Sequence, residues 1–275
     1  MIQNFKYYKP SLGGSWLMVA LVFVGSIVMA FCLPNAPRSV PYFLMMLLPL
    51  GWCWLMGRRA AEEGVRPLAI HEPHYGRLPV WAFLLISGVT LFALSFVIEP
   101  TTSWIPMPDS IKAIFEQAFV DSDLWDMVVS TCILAPLLEE FLCRGMMLRG
   151  MLTRMRPWKA IFWSALIFAV MHMNPWQSIP AFLIGLFLGW VYWRTHSLWA
   201  TIFLHFLNNA ASTVISRIWT DLPVDAAWKD ILSPNTYWIC YAAAAILAVV
   251  LIYFLHEKTV SPEVPPRVEA EGLGR

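Results

Sequence analysis

Long apolar runs without a charged residue recur along most of the chain and limit the folds that it can adopt. The first run, residues 15–33, contains no charged side chain. At about 1.5 Å per residue, a helix of that length crosses a hydrocarbon core of about 30 Å. Hydrophobic residues make up 59% of the chain and charged residues 13%, whereas about 25% of the residues of an ordinary soluble domain are charged. The pattern predicts a membrane protein with several spans.

Eight of these runs are predicted to be membrane-spanning helices. They are residues 15–33, 40–56, 78–98, 126–150, 158–173, 178–193, 198–218 and 236–255. Between the third and fourth runs, residues 109–125 are acidic and amphipathic, which predicts a helix lying along the membrane surface. The predicted fold is therefore an all-α polytopic membrane protein with about eight transmembrane helices and one amphipathic surface helix.

The same pattern divides the chain into segments. Residues 1–108 should hold the first three transmembrane helices, 109–125 the surface helix, 126–218 a core of helices four to seven, and 219–256 the last helix. Residues 257–275 show no apolar periodicity, so we predict a disordered cytoplasmic tail.

The distribution of basic residues predicts the orientation of the helices. With the N-terminus in the cytoplasm, all 19 lysines and arginines fall in cytoplasmic segments except four: Arg38, Lys112, Arg217 and Lys229. Basic residues concentrate in the cytoplasmic loops of membrane proteins, so we expect both termini to be cytoplasmic. The formal net charge is +1, which does not indicate a nucleic-acid partner.

Three of the predicted helices carry polar side chains within apolar sequence. A charge at the bilayer centre costs at least about 2.5–3.5 kcal/mol, so such residues are candidates for function. They are Glu139, Glu140 and Arg144 on the fourth helix, His172 on the fifth, and His205, Asn208 and Asn209 on the seventh.

The two acids of the fourth helix differ in their neighbours. Glu140 and Arg144 are four residues apart on one face, a spacing that predicts an ion pair. Glu139 lies about 100° around the helix, where its i+4 neighbour is Cys143. Without a local countercharge, its carboxylate is suited to accept and return a proton. The alternative is that both acids pair with cytoplasmic arginines at a helix end. Pro136 is expected to kink the helix and make room for water.

The histidines also lie beside a polar or aromatic neighbour on the same face. Phe168 precedes His172 by one turn, and Asn209 follows His205 by one turn. Taken singly, each has a structural explanation: an interfacial histidine near a helix end, and a pair that hydrogen-bonds between helices.

Together the motifs E-E-x-x-x-R, F-x-x-x-H and H-x-x-x-N resemble those of a known family. They are similar, in the same order, to the motifs of the CAAX protease and bacteriocin-processing family of intramembrane endopeptidases, which includes the Ras-converting enzyme and abortive-infection-type bacterial proteins. The matching residues are Glu139, Glu140, Arg144, Phe168, His172, His205 and Asn209. The resemblance covers roughly residues 126–217, and the first three helices, the surface helix and the last span match nothing in it.

The resemblance implies a role for each matching residue. In the family, the first glutamate activates a water with help from the histidine of the second motif, roles that fall to Glu139 and His172 here. His205 and Asn209 would stabilise the oxyanion. The supporting residues would be the Glu140–Arg144 pair and Phe168, which would pack beside His172.

The resemblance implies no cofactor, and zinc is the alternative. Two histidines and a glutamate are a plausible zinc set. However, the chain contains no H-E-x-x-H motif, the histidines lie on separate helices, and an amide beside His205 suits an oxyanion donor better than a metal ligand. We therefore favour metal-free catalysis.

The resemblance also implies a substrate and a location. The substrate would be a membrane-anchored or lipidated protein or peptide, cut by a protein of a bacterial cytoplasmic (inner) membrane. Counted from the basic ends of their helices at about 1.5 Å per residue, the polar residues should lie within the lipid bilayer, toward its outer half. Two other functions use the same residues: a transporter or proton-coupled channel, and a catalytically inactive membrane scaffold. The absence of an inverted repeat counts against the first, and the completeness of the motifs against the second.

Overall fold

The computed structural model describes residues 2–119, 122–219 and 222–259, in which every regular element is helical. The main helices are α1 (Leu12–Cys32), α2 (Ser39–Glu62), α3 (Val80–Ile98), α4 (Asp109–Phe119), α5 (124–152), α6 (Pro157–Val170), α7 (Pro175–Thr195), α8 (Leu198–Ile218) and α9 (Pro234–Lys258). Short helices at Ile2–Lys6, Pro100–Ser103 and Trp228–Ile231 connect them.

Each predicted span lies on one of these helices, and the all-α fold of a polytopic membrane protein is confirmed. Within the described residues, five helices are long and apolar enough to cross a membrane: Leu12–Cys32, Ser39–Glu62, Val80–Ser103, Leu198–Ile218 and Pro234–Lys258. α9 continues to Lys258, three residues past the predicted end of the span at 255 and two past the segment boundary at 256. Residues 260–275 of the predicted tail lie outside the described part of the chain.

Helix α6 ends earlier than predicted, and α7 begins earlier. α6 has 14 residues and ends at Val170 instead of 173. Met173 has a positive φ of 56°, a backbone conformation that a right-handed helix cannot continue through. The Asn174 side chain then accepts the N–H of Gln177, and Pro175 occupies the first turn of α7, both typical of a helix start.

The amphipathic helix is also shorter than predicted. The expected segment, 109–125, is divided between α4 and the first residues of α5. The Asp123 side chain accepts the N–H of Asp126 at 2.9 Å, which caps a new helix at this point. Lys112 of α4 pairs with Asp225 at 2.8 Å, so the surface helix is tied to the segment before α9.

Helix α5 is continuous, but two of its segments are π-helical: Val128–Leu134 and Phe141–Leu148. At the end of the first segment, the Ala135 N–H bonds to the carbonyl of Ser130, five residues back. Pro136 follows and has no N–H to donate. The wide turn therefore accommodates the proline inside the helix. π-Helical turns are rare and often lie at functional sites, and here they flank the turn that carries the two acids.

Small residues bring neighbouring helices close together. A Cβ added to Gly185 of α7 would lie 3.3 Å from the Cα of Ala165 in α6, and one added to Gly25 of α1 would lie 2.9 Å from the carbonyl oxygen of Met45 in α2. Close backbone approach at small residues is how helices pack within lipid.

Arg149 joins three segments at one end of the bundle. It is 3% exposed, and its guanidinium donates to the carbonyls of Phe5 at 2.8 Å, Tyr8 at 2.7 Å and Leu68. The N-terminal segment, the α2–α3 loop and the end of α5 therefore meet there. At the same end, the N–H groups of His74 and Arg77 donate to the carbonyls of Thr195 and Lys258.

Within the described part of the chain, the basic residues assigned to the cytoplasm are thus gathered at one end, apart from Arg144, which is buried inside the bundle. Arg267 and Arg275 lie outside the described residues. At the opposite end, Asp126 accepts hydrogen bonds from the N–H groups of Arg38 and Ser39, and Arg217 donates to the carbonyl of Ser122. Arg38, Lys112 and Arg217, three of the four residues assigned to the outside, lie in this second group.

Arg149→Met should destabilise the fold by about 2 kcal/mol or more, because each buried carbonyl left without a donor costs about 1–3 kcal/mol. Thermal or denaturant unfolding of the purified protein in detergent measures the change. Arg154→Met is the matched control, since Arg154 is exposed and makes a single 3.2 Å bond to Lys9. Equal stability of the two variants would contradict the anchoring role of Arg149.

Candidate active site

The four residues predicted to be catalytic line a single cavity. Glu139 of α5, His172 at the end of α6, and His205 and Asn209 of α8 all face a cavity of about 550 Å³. Side chains of α2, α3 and α7 complete its wall. The three motifs, which lie far apart in the sequence, therefore meet in space.

The predicted Glu140–Arg144 pair is present in the interior of the bundle. The two side chains are fully buried, with Arg144 Nη1 2.7 Å from Glu140 Oε1. Arg144 Nη2 also donates to the carbonyl of Gly185 at 3.0 Å, and its guanidinium lies 4.8 Å from the centre of the Phe168 ring. The pair thus joins α5 to α6 and α7.

His205 lies between the two acids. Its Nδ1 is 3.0 Å from Glu140 Oε1, and its Nε2 is 3.9 Å from Glu139 Oε2. A carboxylate held in an ion pair with an arginine only accepts hydrogen bonds, so Nδ1 carries a proton and Nε2 is the nitrogen turned toward Glu139. The sequence did not predict the contact between Glu140 and His205, because the two residues lie on different helices and are 65 positions apart in the chain.

Glu139 has a partner that the sequence did not indicate. The hydroxyl of Tyr42, on α2, donates to Glu139 Oε1 at 2.7 Å. Tyr42 stands in an apolar run outside the three motifs and carries no local signal of function.

His172 is held by the last turn of α6. Its Nδ1 is 2.9 Å from the carbonyl of Phe168, and since a carbonyl only accepts, Nδ1 is the donor. The Phe168 ring meets the His172 ring edge-on at 4.9 Å and the His205 ring at 5.5 Å. The histidine that faces Glu139 is His205, whereas His172 lines the same cavity and bonds to its own helix. The pairing of His172 with Glu139 stays a prediction.

Asn209 reaches α5 at a carbonyl that the helix leaves unpaired. Its side-chain amide donates to the Thr131 carbonyl at 2.9 Å. In a regular helix the Thr131 carbonyl would accept the N–H of Ala135 or of residue 136. The Ala135 N–H bonds to the Ser130 carbonyl instead, and Pro136 has no N–H, so neither residue donates to Thr131. The amide nitrogen has a second hydrogen, and Asn209 also lines the cavity.

Among the described residues, no group of three or more His, Cys, Asp or Glu side chains is placed to hold a metal ion. Within the site, His172 and His205 each direct Nδ1 at a protein oxygen, which leaves one ring nitrogen of each for other partners.

The comparisons with known proteins identify the segment that carries this site. Residues 121–211, about a third of the chain, match the family model described as type II CAAX prenyl endopeptidase Rce1-like. No curated protein and no solved structure matches the chain. The matched segment includes all seven motif residues, from Glu139 to Asn209. Over residues 121–211 the chain is therefore similar to the Rce1-like CAAX prenyl endopeptidases, which supports the resemblance that the motifs indicate.

Proposed function

We propose that this protein is a glutamate-dependent intramembrane endopeptidase that hydrolyses a peptide bond in a membrane-anchored or lipidated protein or peptide. The observation that carries the proposal is the convergence of Glu139, His172, His205 and Asn209 on one cavity. The match of residues 121–211 to the model of a protease family supports the same reaction class.

In this mechanism Glu139 is the general base. The 3.9 Å between Glu139 Oε2 and His205 Nε2 is too long for a direct hydrogen bond, so Oε2 is left to accept a proton from the attacking water. Glu139 takes a proton from the attacking water, the oxygen adds to the substrate carbonyl, and Glu139 returns the proton to the leaving amine. His172 assists from across the cavity, since its Nε2 is left to accept a hydrogen bond.

The oxyanion is stabilised from α8. Asn209 donates the amide hydrogen that Thr131 does not use. His205 already donates from Nδ1 to Glu140, so the ring must carry two protons to donate from Nε2 as well. Glu140 and Arg144 hold this ring in place, and no metal ion takes part.

The residues that line the cavity support one orientation of the protein across the membrane. Arg38, Glu99 and Gln177 line it, and Arg38 belongs to the end of the bundle that the basic residues assign to the outside. We propose that both termini are cytoplasmic, and that a substrate enters the site from the outer half of a bacterial cytoplasmic membrane.

Glu139→Gln should lower kcat for cleavage of a membrane-anchored substrate by about 100-fold or more, the usual contribution of a general base. The substitution keeps the shape of the side chain and removes its basicity. The control is Glu63→Gln, which changes an exposed acid at the end of α2. If Glu139→Gln cleaves as fast as wild type, the assignment of the base is wrong.

Wild-type cleavage should survive a strong zinc chelator, because no step uses a metal. The same assay, with and without the chelator, measures this. Loss of activity that added zinc restores would reassign Glu139, His172 and His205 as metal ligands. A purified wild-type protein that cleaves none of the membrane-anchored candidates but conducts ions would favour the transporter alternative.

Asn209→Ala should lower kcat by about 100-fold, since loss of one oxyanion donor has an effect of that order. Asn235→Ala is the control, because Asn235 is exposed at the start of α9. An Asn209→Ala variant that keeps wild-type kcat would show that the oxyanion is bound elsewhere.

A further inference from the structure

Helix α2 brings a side chain to the candidate active site, although it lies outside the matched segment 121–211. The hydroxyl of Tyr42 donates to Glu139 Oε1 at 2.7 Å, and Tyr42 lines the same cavity as the four candidate catalytic residues. A carboxylate accepts hydrogen bonds and does not donate them, so the proton of this bond belongs to the tyrosine.

The turn that carries Tyr42 is fixed to the helix that carries Glu139. At the start of α5, Asp126 accepts the N–H of Arg38 at 2.7 Å, the N–H of Ser39 at 3.0 Å and the Ser39 hydroxyl at 2.5 Å. The N–H of Tyr42 bonds to the Arg38 carbonyl at 3.1 Å. Tyr42 therefore lies within the turn that Asp126 holds, and α2 is attached to α5 at two places.

The hydrogen bond distinguishes the two oxygens of Glu139. Oε1 is taken by Tyr42, and Oε2 is the oxygen that faces His205 Nε2. A glutamate side chain has three rotatable bonds, and its terminal torsion is broad. A donor fixed on Oε1 restricts that freedom and leaves Oε2 directed at the place where the attacking water must bind.

We propose that Tyr42 is a positioning residue for the general base, supplied by a part of the chain that carries none of the family motifs. The inference rests on the proposed function of Glu139 and adds a requirement to it: the segment 121–211 is catalytically incomplete without α2. Tyr42 acts through Glu139 and does not exchange a proton with the substrate.

A purely structural role would give a different result. If Tyr42 only satisfies the buried Glu139 carboxylate, its loss should change stability and leave the chemical step unaffected. If it orients the base, its loss should lower kcat while the substrate still binds with a similar KM, because misplacement of a reacting group affects the transition state more than the bound substrate.

The test is Tyr42→Phe in the full-length purified protein, with kcat and KM measured on a membrane-anchored substrate that wild type cleaves, and thermal unfolding measured in the same detergent. The expected result is a kcat between about 10-fold and 100-fold below wild type, with little change in KM. Tyr253→Phe is the matched control, because Tyr253 lies on α9 and is 66% exposed, and it should keep wild-type kinetics.

Wild-type kcat in Tyr42→Phe, with or without a lower unfolding temperature, would overturn the positioning role while leaving the protease function intact. A rise in KM alone would also overturn it, since it would make Tyr42 a substrate-binding residue. Failure of the wild type itself to cleave any substrate would remove the proposed function, and the inference with it.

Discussion

The ion pair between Glu140 and Arg144 lies where neither charge reaches water, so each side chain depends on the other. A charge alone in the membrane interior is costly, whereas a paired and hydrogen-bonded one is tolerated. Arg144 also bonds to the Gly185 carbonyl and lies over the Phe168 ring. The packing of α6 and α7 against α5 is therefore organised around one cation, and the rest of the site is built on this arrangement.

The pair also gives the two adjacent acids, Glu139 and Glu140, different neighbours. Because Glu140 and Glu139 are successive residues of a helix, they point about 100° apart and meet different neighbours. Glu140 is committed to Arg144 and to His205 Nδ1, which fixes the histidine ring. Glu139 instead faces the cavity, where the Tyr42 hydroxyl donates to one oxygen and His205 Nε2 lies 3.9 Å from the other. Two chemically identical side chains thus have different environments: one is buried in an ion pair, and the other lines the cavity.

Much of this could be predicted from the sequence because it depends on local spacing. The helices follow from apolar runs, and the Glu140–Arg144 pair follows from a separation of four residues. Contacts between helices could not be predicted in this way. The bonds of His205 to Glu140 and of Tyr42 to Glu139 join residues 65 and 97 positions apart. The early end of α6 coincides with the positive φ of Met173, which the residue type does not signal. Only the following Asn174 and Pro175 indicate a new helix start.

The shortness of α6 suggests how water would reach the site in the proposed hydrolysis. At about 1.5 Å per residue, 14 helical residues cover about 21 Å, well short of a hydrocarbon core of about 30 Å. A short span draws the polar boundary of the bilayer toward it. The helix is shortened at its His172 end. There the polar side chains of Asn174 and Gln177 lie at the start of α7, close to the end of α6. In the proposed hydrolysis, water would enter from that end of the bundle, without a channel running its full length.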